Sequence, residues 1–139
     1  MAEIFVDANI FLDVMRLRSG WQESAKILDI VKSGKSPGFV SSLTVTTLFY
    51  ELRKNLPRER VLEELRKALS GFLIADLSRG DLSTILSDKG LRDFEDRVQF
   101  YSAKKVSNII VTRNTRDFRE ASKEIEVLTP EEFLNKYGA

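Results

Sequence analysis

The chain has 139 residues, of which 42% are hydrophobic, and its 22 basic and 21 acidic residues leave a net charge of +1. This length suits one ordinary domain with a substantial core, and we expect residues 1–139 to form a single domain. The absence of His and Cys excludes imidazole catalysis, Ser-His-Asp triads, thiol nucleophiles, disulfides and zinc sites built from those residues.

The start of the chain and its apolar runs bear on where the protein works. No basic segment followed by an apolar core opens the chain, and no apolar run approaches the length of a membrane span. We therefore expect a soluble cytoplasmic protein without a membrane partner. The near-neutral charge neither requires nor forbids a nucleic-acid partner, so any such affinity must come from local patches.

Strands alternate with helices along the chain, as the spacing of apolar residues indicates. The pattern predicts five strands, at residues 4–6, 39–41, 72–75, 108–112 and 125–128. It predicts helices from 9 to about 17, from about 22 to 31, at 43–52, at 57–69, at 81–86, from 93 to about 104 and from 130, with a short helical turn after residue 112. Asn9 and Asp93 are N-cap residue types, and residues 129–132 form a capping box. The alternation predicts an α/β fold with parallel strands.

One segment is ambiguous between strand and helix. Residues 43–52 include several β-branched side chains, but Leu48, Leu52 and Leu56 recur at helical spacing and favour a helix. Pro57 then suits the first turn of the next helix. The apolar face predicted for that helix consists of Val61, Leu62, Leu65 and Leu69.

Polar residues follow three of the apolar runs. Asp7 follows residues 4–6, Asp76 follows residues 73–75 and Thr112 follows residues 109–111. The carboxyl ends of parallel strands open into the crevice where open α/β sheets bind ligands. Carboxylates without His or Cys nearby suit a hard cation such as Mg²⁺ or Mn²⁺.

Each acidic position also has a purely structural interpretation. Asp93 and Asp96 lie where carboxylates stabilise the start of any helix, Asp7 can form a turn with Asn9, and Asp117 can cap a turn. The combination favours a metal site, however. Bringing Asp7, Asp96 and Asp117 to one sheet edge costs like-charge repulsion, which a divalent cation would offset.

Three segments in this order resemble the signature blocks of PIN domains, in the branch of the VapC-type toxin ribonucleases. The segments are Val6-Asp7-Ala8-Asn9-Ile10-Phe11-Leu12-Asp13, Asp93-Phe94-Glu95-Asp96-Arg97-Val98-Gln99 and Val111-Thr112-Arg113-Asn114-Thr115-Arg116-Asp117-Phe118, and the likeness extends to residues 128–134. The resemblance implies a three-layer α/β/α sandwich around a parallel sheet of about five strands. It also implies a Mg²⁺- or Mn²⁺-dependent endoribonuclease that is the toxin of a toxin–antitoxin pair, with an antitoxin partner and a homodimer.

The resemblance also implies roles for individual residues. These roles are metal ligands at Asp7, Asp96 and Asp117, an additional acid at Asp93, supports of the metal or substrate at Thr112 and Asn114, and a holder of the first loop at Asn9. Independently of the family, Arg113 and Arg116 flank Asn114 and are spaced to hold RNA phosphates. Metal-assisted hydrolysis needs no nucleophile from the protein.

The second acid departs from the family pattern. PIN domains usually carry a Glu on the helix after the second strand, and that position is Thr47 here. Glu51 lies one turn further along and shares a helix face with Thr47. Either Glu51 reaches back to the site, or the site has lost one carboxylate and binds metal weakly.

Two other classes of function remain open. One is a PIN-like scaffold that binds RNA or protein without cleaving, which the missing Glu at Thr47 favours. The other is a receiver-like module that accepts a phosphoryl group on Asp76. Receivers carry an acidic pair after the first strand and a Lys after the fifth, and residues 126–129 offer no Lys.

Overall fold

The structure, a computed structural model, describes residues 2–121 and 124–138. Its elements in chain order are β1 (Ile4–Val6), α1 (Ala8–Arg16), α2 (Trp21–Lys32), β2 (Gly38–Ser41), α3 (Ser42–Arg53), α4 (Arg58–Ala68), β3 (Phe72–Ala75), α5 (Arg79–Ser87), α6 (Phe94–Val106), β4 (Ile109–Val111), α7 (Thr115–Ala121), β5 (Glu126–Leu128) and α8 (Pro130–Tyr137). The predicted alternation is therefore confirmed, and the ambiguous segment that follows β2 is the helix α3.

The five strands form one sheet in the order β3-β2-β1-β4-β5, and every neighbouring pair is parallel. From β1 the chain builds outward through β2 and β3, and it then returns to the other side of β1 to form β4. The direction in which successive strands are added to the sheet therefore reverses at β1, so that β1 and β4 lie on either side of this reversal of the strand order. In open α/β sheets, ligands bind outside the carboxyl ends of the strands at such a reversal.

Alternating side chains give the sheet two buried faces. Ile4 and Val6 of β1 join one core with residues of α1, α2, α3 and α8, whereas Phe5 joins a second core with residues of α6 and α7. The same alternation in β4 sends Ile110 to the side of Phe5. The sheet is thus covered by helices on both faces, and the predicted three-layer α/β/α sandwich is confirmed.

Two local predictions were wrong. The N-cap of α1 is Asp7 and not Asn9, because the Asp7 carboxylate accepts the N–H of Ala8 and the helix begins directly after β1. Leu65 of α4 and its C-cap Leu69 pack against the first core and Val61 is buried, but Leu62 is 61% exposed and does not belong to the apolar face.

The predicted start signals of two later helices are confirmed. Asp93 caps α6, and residues 129–132 form a reciprocal capping box at the start of α8 with Pro130 in its first turn. Among residues 2–121 and 124–138, no helix is both long and apolar enough to cross a membrane.

Candidate acidic active site

Asp7 lies directly after β1, at the reversal of the strand order, and is buried. Its Oδ1 accepts hydrogen bonds from the Ala8 backbone N–H (2.7 Å) and from Nε2 of Gln99 (2.9 Å). Its Oδ2 accepts from Oγ1 of Thr112 (2.7 Å) and from Nδ2 of Asn9 (3.2 Å). A carboxylate offers about four lone-pair positions, so protein donors hold this carboxylate in a fixed orientation.

Burial raises the pKa of Asp7 above its ordinary value, although the hydrogen bonds from Gln99, Thr112 and Ala8 work in the opposite direction. These donors favour the charged form, whereas removal from water disfavours it. The carboxylate is therefore well oriented but costly to keep charged. A cation bound close by would lower that cost.

Asp96 is another acid of the site and lies in the first turn of α6. Burial and the charges of Asp93, Asp7 and Asp117 together raise its pKa from 3.8 to about 6, although the hydrogen bond from Nδ2 of Asn114 (3.1 Å) works in the opposite direction. Asp96 therefore lies within electrostatic reach of three other carboxylates. This mutual repulsion is the charge pattern that a divalent cation relieves.

A surface cleft of about 580 Å³ lies beside Asp96. It is lined by four acidic residues, three basic residues and a short loop: Asp93, Asp96, Asp117 and Glu120, then Lys89, Arg92 and Arg116, then Gly90 and Leu91. Asp93 also accepts the backbone N–H of Asp96 (2.9 Å), which fixes the start of α6. The cleft thus combines carboxylates with basic side chains, and basic side chains attract the phosphates of a nucleic acid.

Gln99 is a site residue that the sequence prediction missed. It is buried, and its Nε2 donates both to Asp7 and to Oγ1 of Thr44 (2.9 Å), while its Oε1 accepts from the hydroxyl of Ser41. Gln99 thereby ties β1 to the end of β2 and the start of α3. The available signal was its spacing, because Gln99 follows Asp96 by three residues and shares its helix face.

Thr47 and Glu51 do not join this cluster. The Thr47 hydroxyl donates to the carbonyl of Leu43 in its own helix (3.0 Å). Glu51 accepts two hydrogen bonds from Arg16 (2.8 and 2.6 Å) and one from Lys54 (3.2 Å). Arg16 ends α1, about two and a half helical turns from Asp7. Of the two alternatives for the second acid, these contacts favour a site without that carboxylate, because the Glu51 carboxylate joins α3 to α1.

We expect Glu51→Gln to lower the free energy of unfolding at pH 7 by about 1 kcal/mol. The hydrogen bond from Arg16 is the main cause that lowers the pKa of Glu51 from 4.5 to about 2. The stabilisation is therefore complete above pH 4.5 and is lost as the pH falls toward 2. Urea unfolding of both proteins between pH 2 and 7 measures this, and equal stabilities at pH 7 would contradict the ion pair.

The two arginines of the segment after β4 have different surroundings. The guanidinium of Arg113 contacts Asp13 (2.9 Å) and Glu131 (2.5 Å), which do not line the cleft. Its expected role of holding phosphates therefore does not match its contacts. The side chain of Arg116 is 88% exposed on the cleft and forms a long ion pair with Glu120 at 3.7 Å.

The donor set suits a hydrated Mg²⁺ or Mn²⁺. Within residues 2–121 and 124–138, no group of three or more acidic side chains is close enough to enclose a metal ion by itself. Mg²⁺ usually keeps several of its waters and uses one or two carboxylates together with substrate phosphates. Asp7 and Asp96, with their raised pKa values, offer the oxygen ligands that such an ion needs.

The chain is similar to Ribonuclease VapC1 of Aquifex aeolicus (strain VF5), with 27% identity over 141 residues, covering 98% of this chain and 96% of that protein.

Its fold is similar to three solved structures. FitAcB from Neisseria gonorrhoeae has a TM-score of 0.67 and 21% identity, covering 92% of this chain and 98% of that chain. VapBC2 from Rickettsia felis, bound to a promoter DNA fragment, has a TM-score of 0.65 and 20% identity over 91% and 98% of the two chains. DNA-bound VapBC from Salmonella typhimurium also has a TM-score of 0.65 and 20% identity, over 94% and 99%.

These likenesses establish the fold, and a family model settles the family. The model of the PIN domain matches residues 3–116, which include β1, the capped start of α6 and the segment after β4. Since the match spans most of the chain, this protein belongs to the PIN domain family.

Proposed function

We propose that this protein is a metal-dependent endoribonuclease that hydrolyses RNA phosphodiesters, and that it is the toxin of a toxin–antitoxin pair. The observation that carries the proposal is the meeting of Asp7 and Asp96 at the reversal of the strand order, where Thr112 donates to Asp7 and Asn114 donates to Asp96. The similarity to a protein named Ribonuclease VapC1 supports the same activity.

The chain's own residues divide into three tasks. Asp7 and Asp96 would hold the cation, with Asp93 and Asp117 adding negative charge around it. Thr112, Asn9 and Gln99 orient Asp7, and Asn114 orients Asp96. When bound, a divalent cation activates water for attack on phosphorus and stabilises the charge that develops on the leaving oxygen.

The basic residues of the cleft would bind the RNA chain. Arg116, Arg92 and Lys89 lie beside the acids and carry charges that attract phosphates. The ion we propose is Mg²⁺ or Mn²⁺, because only oxygen donors are present and both metals prefer them. No protein nucleophile is needed in this scheme.

We also propose partners for this chain. We propose that it has a cognate antitoxin that covers the acidic cleft, which the similarity to structures named as VapBC bound to DNA supports. We also propose that the protein is one cytoplasmic domain over residues 1–139 and that it forms a homodimer.

Incubation of the purified protein with a mixed RNA pool tests this function. We expect defined fragments with Mg²⁺ or Mn²⁺ and none with EDTA, because the repelling carboxylates need a cation to position the substrate phosphate. A folded protein that binds RNA and leaves it intact with either metal would contradict the proposal. That outcome would favour a PIN-like scaffold that binds RNA without cleaving it. One contact supports this alternative: Glu51 pairs with Arg16 and so does not supply the missing second acid.

A further inference from the structure

The guanidinium of Arg113 is hydrogen-bonded to other parts of the protein, although the sequence predicts that it binds phosphate. We infer that Arg113 is a positioning residue. It forms a brace with Asp13 and Glu131 that fixes the segment 112–114 against the acids. The inference rests on the proposed ribonuclease function and identifies a residue that this function needs away from the substrate.

Four hydrogen bonds hold the guanidinium of Arg113. Nε donates to Oδ2 of Asp13 (2.9 Å), Nη1 donates to Oε1 of Glu131 (2.5 Å), and Nη2 donates to the carbonyl of Gly20 (2.9 Å) and to Oγ of Ser24 (3.2 Å). An arginine has five N–H donors. The side chain therefore has almost no donor left for a phosphate.

Asp13 is the buried anchor of the brace. It is 3% exposed, and its carboxylate also accepts from Oγ of Ser24 (2.8 Å) and forms an ion pair with Arg18 at 3.1 Å. Turning Arg113 toward RNA would break its four hydrogen bonds at once and would leave the buried Asp13 with Arg18 as its remaining cation. Breaking a buried, hydrogen-bonded charge pair carries a substantial free-energy cost.

The backbone transmits this anchoring to the acids. Thr112 donates to Asp7, and Asn114 donates to Asp96, so the two neighbours of Arg113 each hold one acid. The backbone N–H of Asn114 also donates to Oγ1 of Thr112 (3.0 Å), which closes a tight turn around Arg113. Arg113 thus lies between two residues that contact the acids, while its own side chain contacts Asp13 and Glu131.

A second link runs through Asn9. The backbone N–H of Arg113 donates to Oδ1 of Asn9 (3.2 Å), and Nδ2 of Asn9 donates to Oδ2 of Asp7 (3.2 Å). Arg18, the other arginine on Asp13, donates to the backbone carbonyl of Asn9 (3.2 Å). Both arginines of the brace therefore contact the residue that orients Asp7.

Gly20 shows how closely the brace is fitted. It has a φ of +85°, and a Cβ added there would lie 2.6 Å from Nη2 of Arg113. The left-handed conformation and the close approach both require glycine at this position. The turn between α1 and α2 thus leaves space for the guanidinium, which donates to the carbonyl of Gly20.

Steady-state cleavage kinetics separate a brace from a phosphate contact. For Arg113→Gln we expect kcat to fall about tenfold to a hundredfold while KM stays within about twofold, because displaced acids impair the reaction and not RNA binding. Arg116→Ala is the matched control, and there we expect KM to rise. If Arg113→Gln raises KM and leaves kcat intact, the inference is wrong.

Arg113→Lys sharpens the comparison. A lysine keeps the charge and would preserve a simple phosphate contact, but it cannot reproduce the fork that joins Asp13 to Glu131. We therefore expect Arg113→Lys to lose nearly as much kcat as Arg113→Gln. A lysine variant with wild-type kinetics would contradict the brace.

Glu131→Gln keeps the test independent of misfolding, because the Glu131 side chain is 42% exposed and lies outside the buried part of the pair. We expect a smaller fall in kcat, of about threefold, with KM unchanged. The chemical shifts of the side-chain amides of Asn9 and Asn114 in ¹H–¹⁵N spectra should change in the Arg113 and Glu131 variants, whether or not RNA is cleaved. Unchanged shifts would refute the coupling between the brace and the residues that orient the acids.

Salt dependence provides the final criterion. In an Asp96→Asn background, loss of one phosphate contact reduces the slope of log K against log salt by about 0.7 for single strands. We expect Arg113→Gln to leave the slope unchanged and Arg116→Ala to reduce it. Wild-type protein that cleaves no RNA with any metal would refute the proposed function itself, whereas active wild-type protein with an altered slope in Arg113→Gln would refute only the brace.

Discussion

Asp96→Asn should lower kcat for RNA cleavage at least about a hundredfold, because it removes one of the two carboxylates that would hold the cation. Asparagine has nearly the same shape and can still accept a hydrogen bond from Asn114. The loss should therefore reflect the charge and not the fold. Cleavage is measured on a defined RNA oligonucleotide with excess Mg²⁺ or Mn²⁺, and EDTA sets the background.

Asp76→Asn is the control for this experiment. Asp76 also follows a strand of the sheet but is exposed and lies next to the outer strand β3, away from the reversal of the strand order. We expect this variant to cleave like wild type. If Asp76→Asn abolishes labelling by a small-molecule phosphodonor while Asp96→Asn still cleaves RNA, the protein is a phospho-acceptor and not a nuclease.

Mg²⁺ or Mn²⁺ should stabilise the folded protein, since the unfolded chain does not bring these acids together. At a hundredfold excess of metal over Kd the free energy of unfolding should rise by about 2.7 kcal/mol. Thermal unfolding with and without metal measures this increase as a higher Tm. If neither ion changes the Tm at millimolar concentration, the result would count against the metal site.

Asp96→Asn should abolish this metal effect and stabilise the metal-free protein at pH 7.5 by about 1–2 kcal/mol, after allowance for solvent screening. Burial and neighbouring charges raise the pKa of Asp96 from 3.8 to about 6. The charged form therefore destabilises the fold fully above pH 6, and this penalty disappears as the pH falls toward 3.8. We expect wild type and variant to converge in stability near pH 4, and equal stabilities at pH 7.5 would contradict the charge cluster.

The sequence alone determined the succession of strands and helices along the chain and the parallel pairing of the strands, whereas the three layers were implied by the family resemblance. Short apolar runs, helical spacing and capping residues are local signals, and the structure follows them at β1, at the capped start of α6 and at α8. The meeting of Asp7 with Thr112 was also predictable. Parallel strands end at the same edge of a sheet, so the residues that follow β1 and β4 are close once these two strands pair. Asp76 lies at the same edge but follows the outer strand β3 and does not reach Asp7.

Only the tertiary structure decided the direction of three side chains. Gln99 turns inward to Asp7, Glu51 pairs with Arg16, and Arg113 points to the turn after α1. Each choice depends on a partner far away in sequence, such as the 100 residues between Arg113 and Asp13. Residue type and spacing show that an arginine can bind a phosphate. Whether it does depends on which carboxylates the folded chain has already brought to its guanidinium, because a charge buried with its partner is costly to expose.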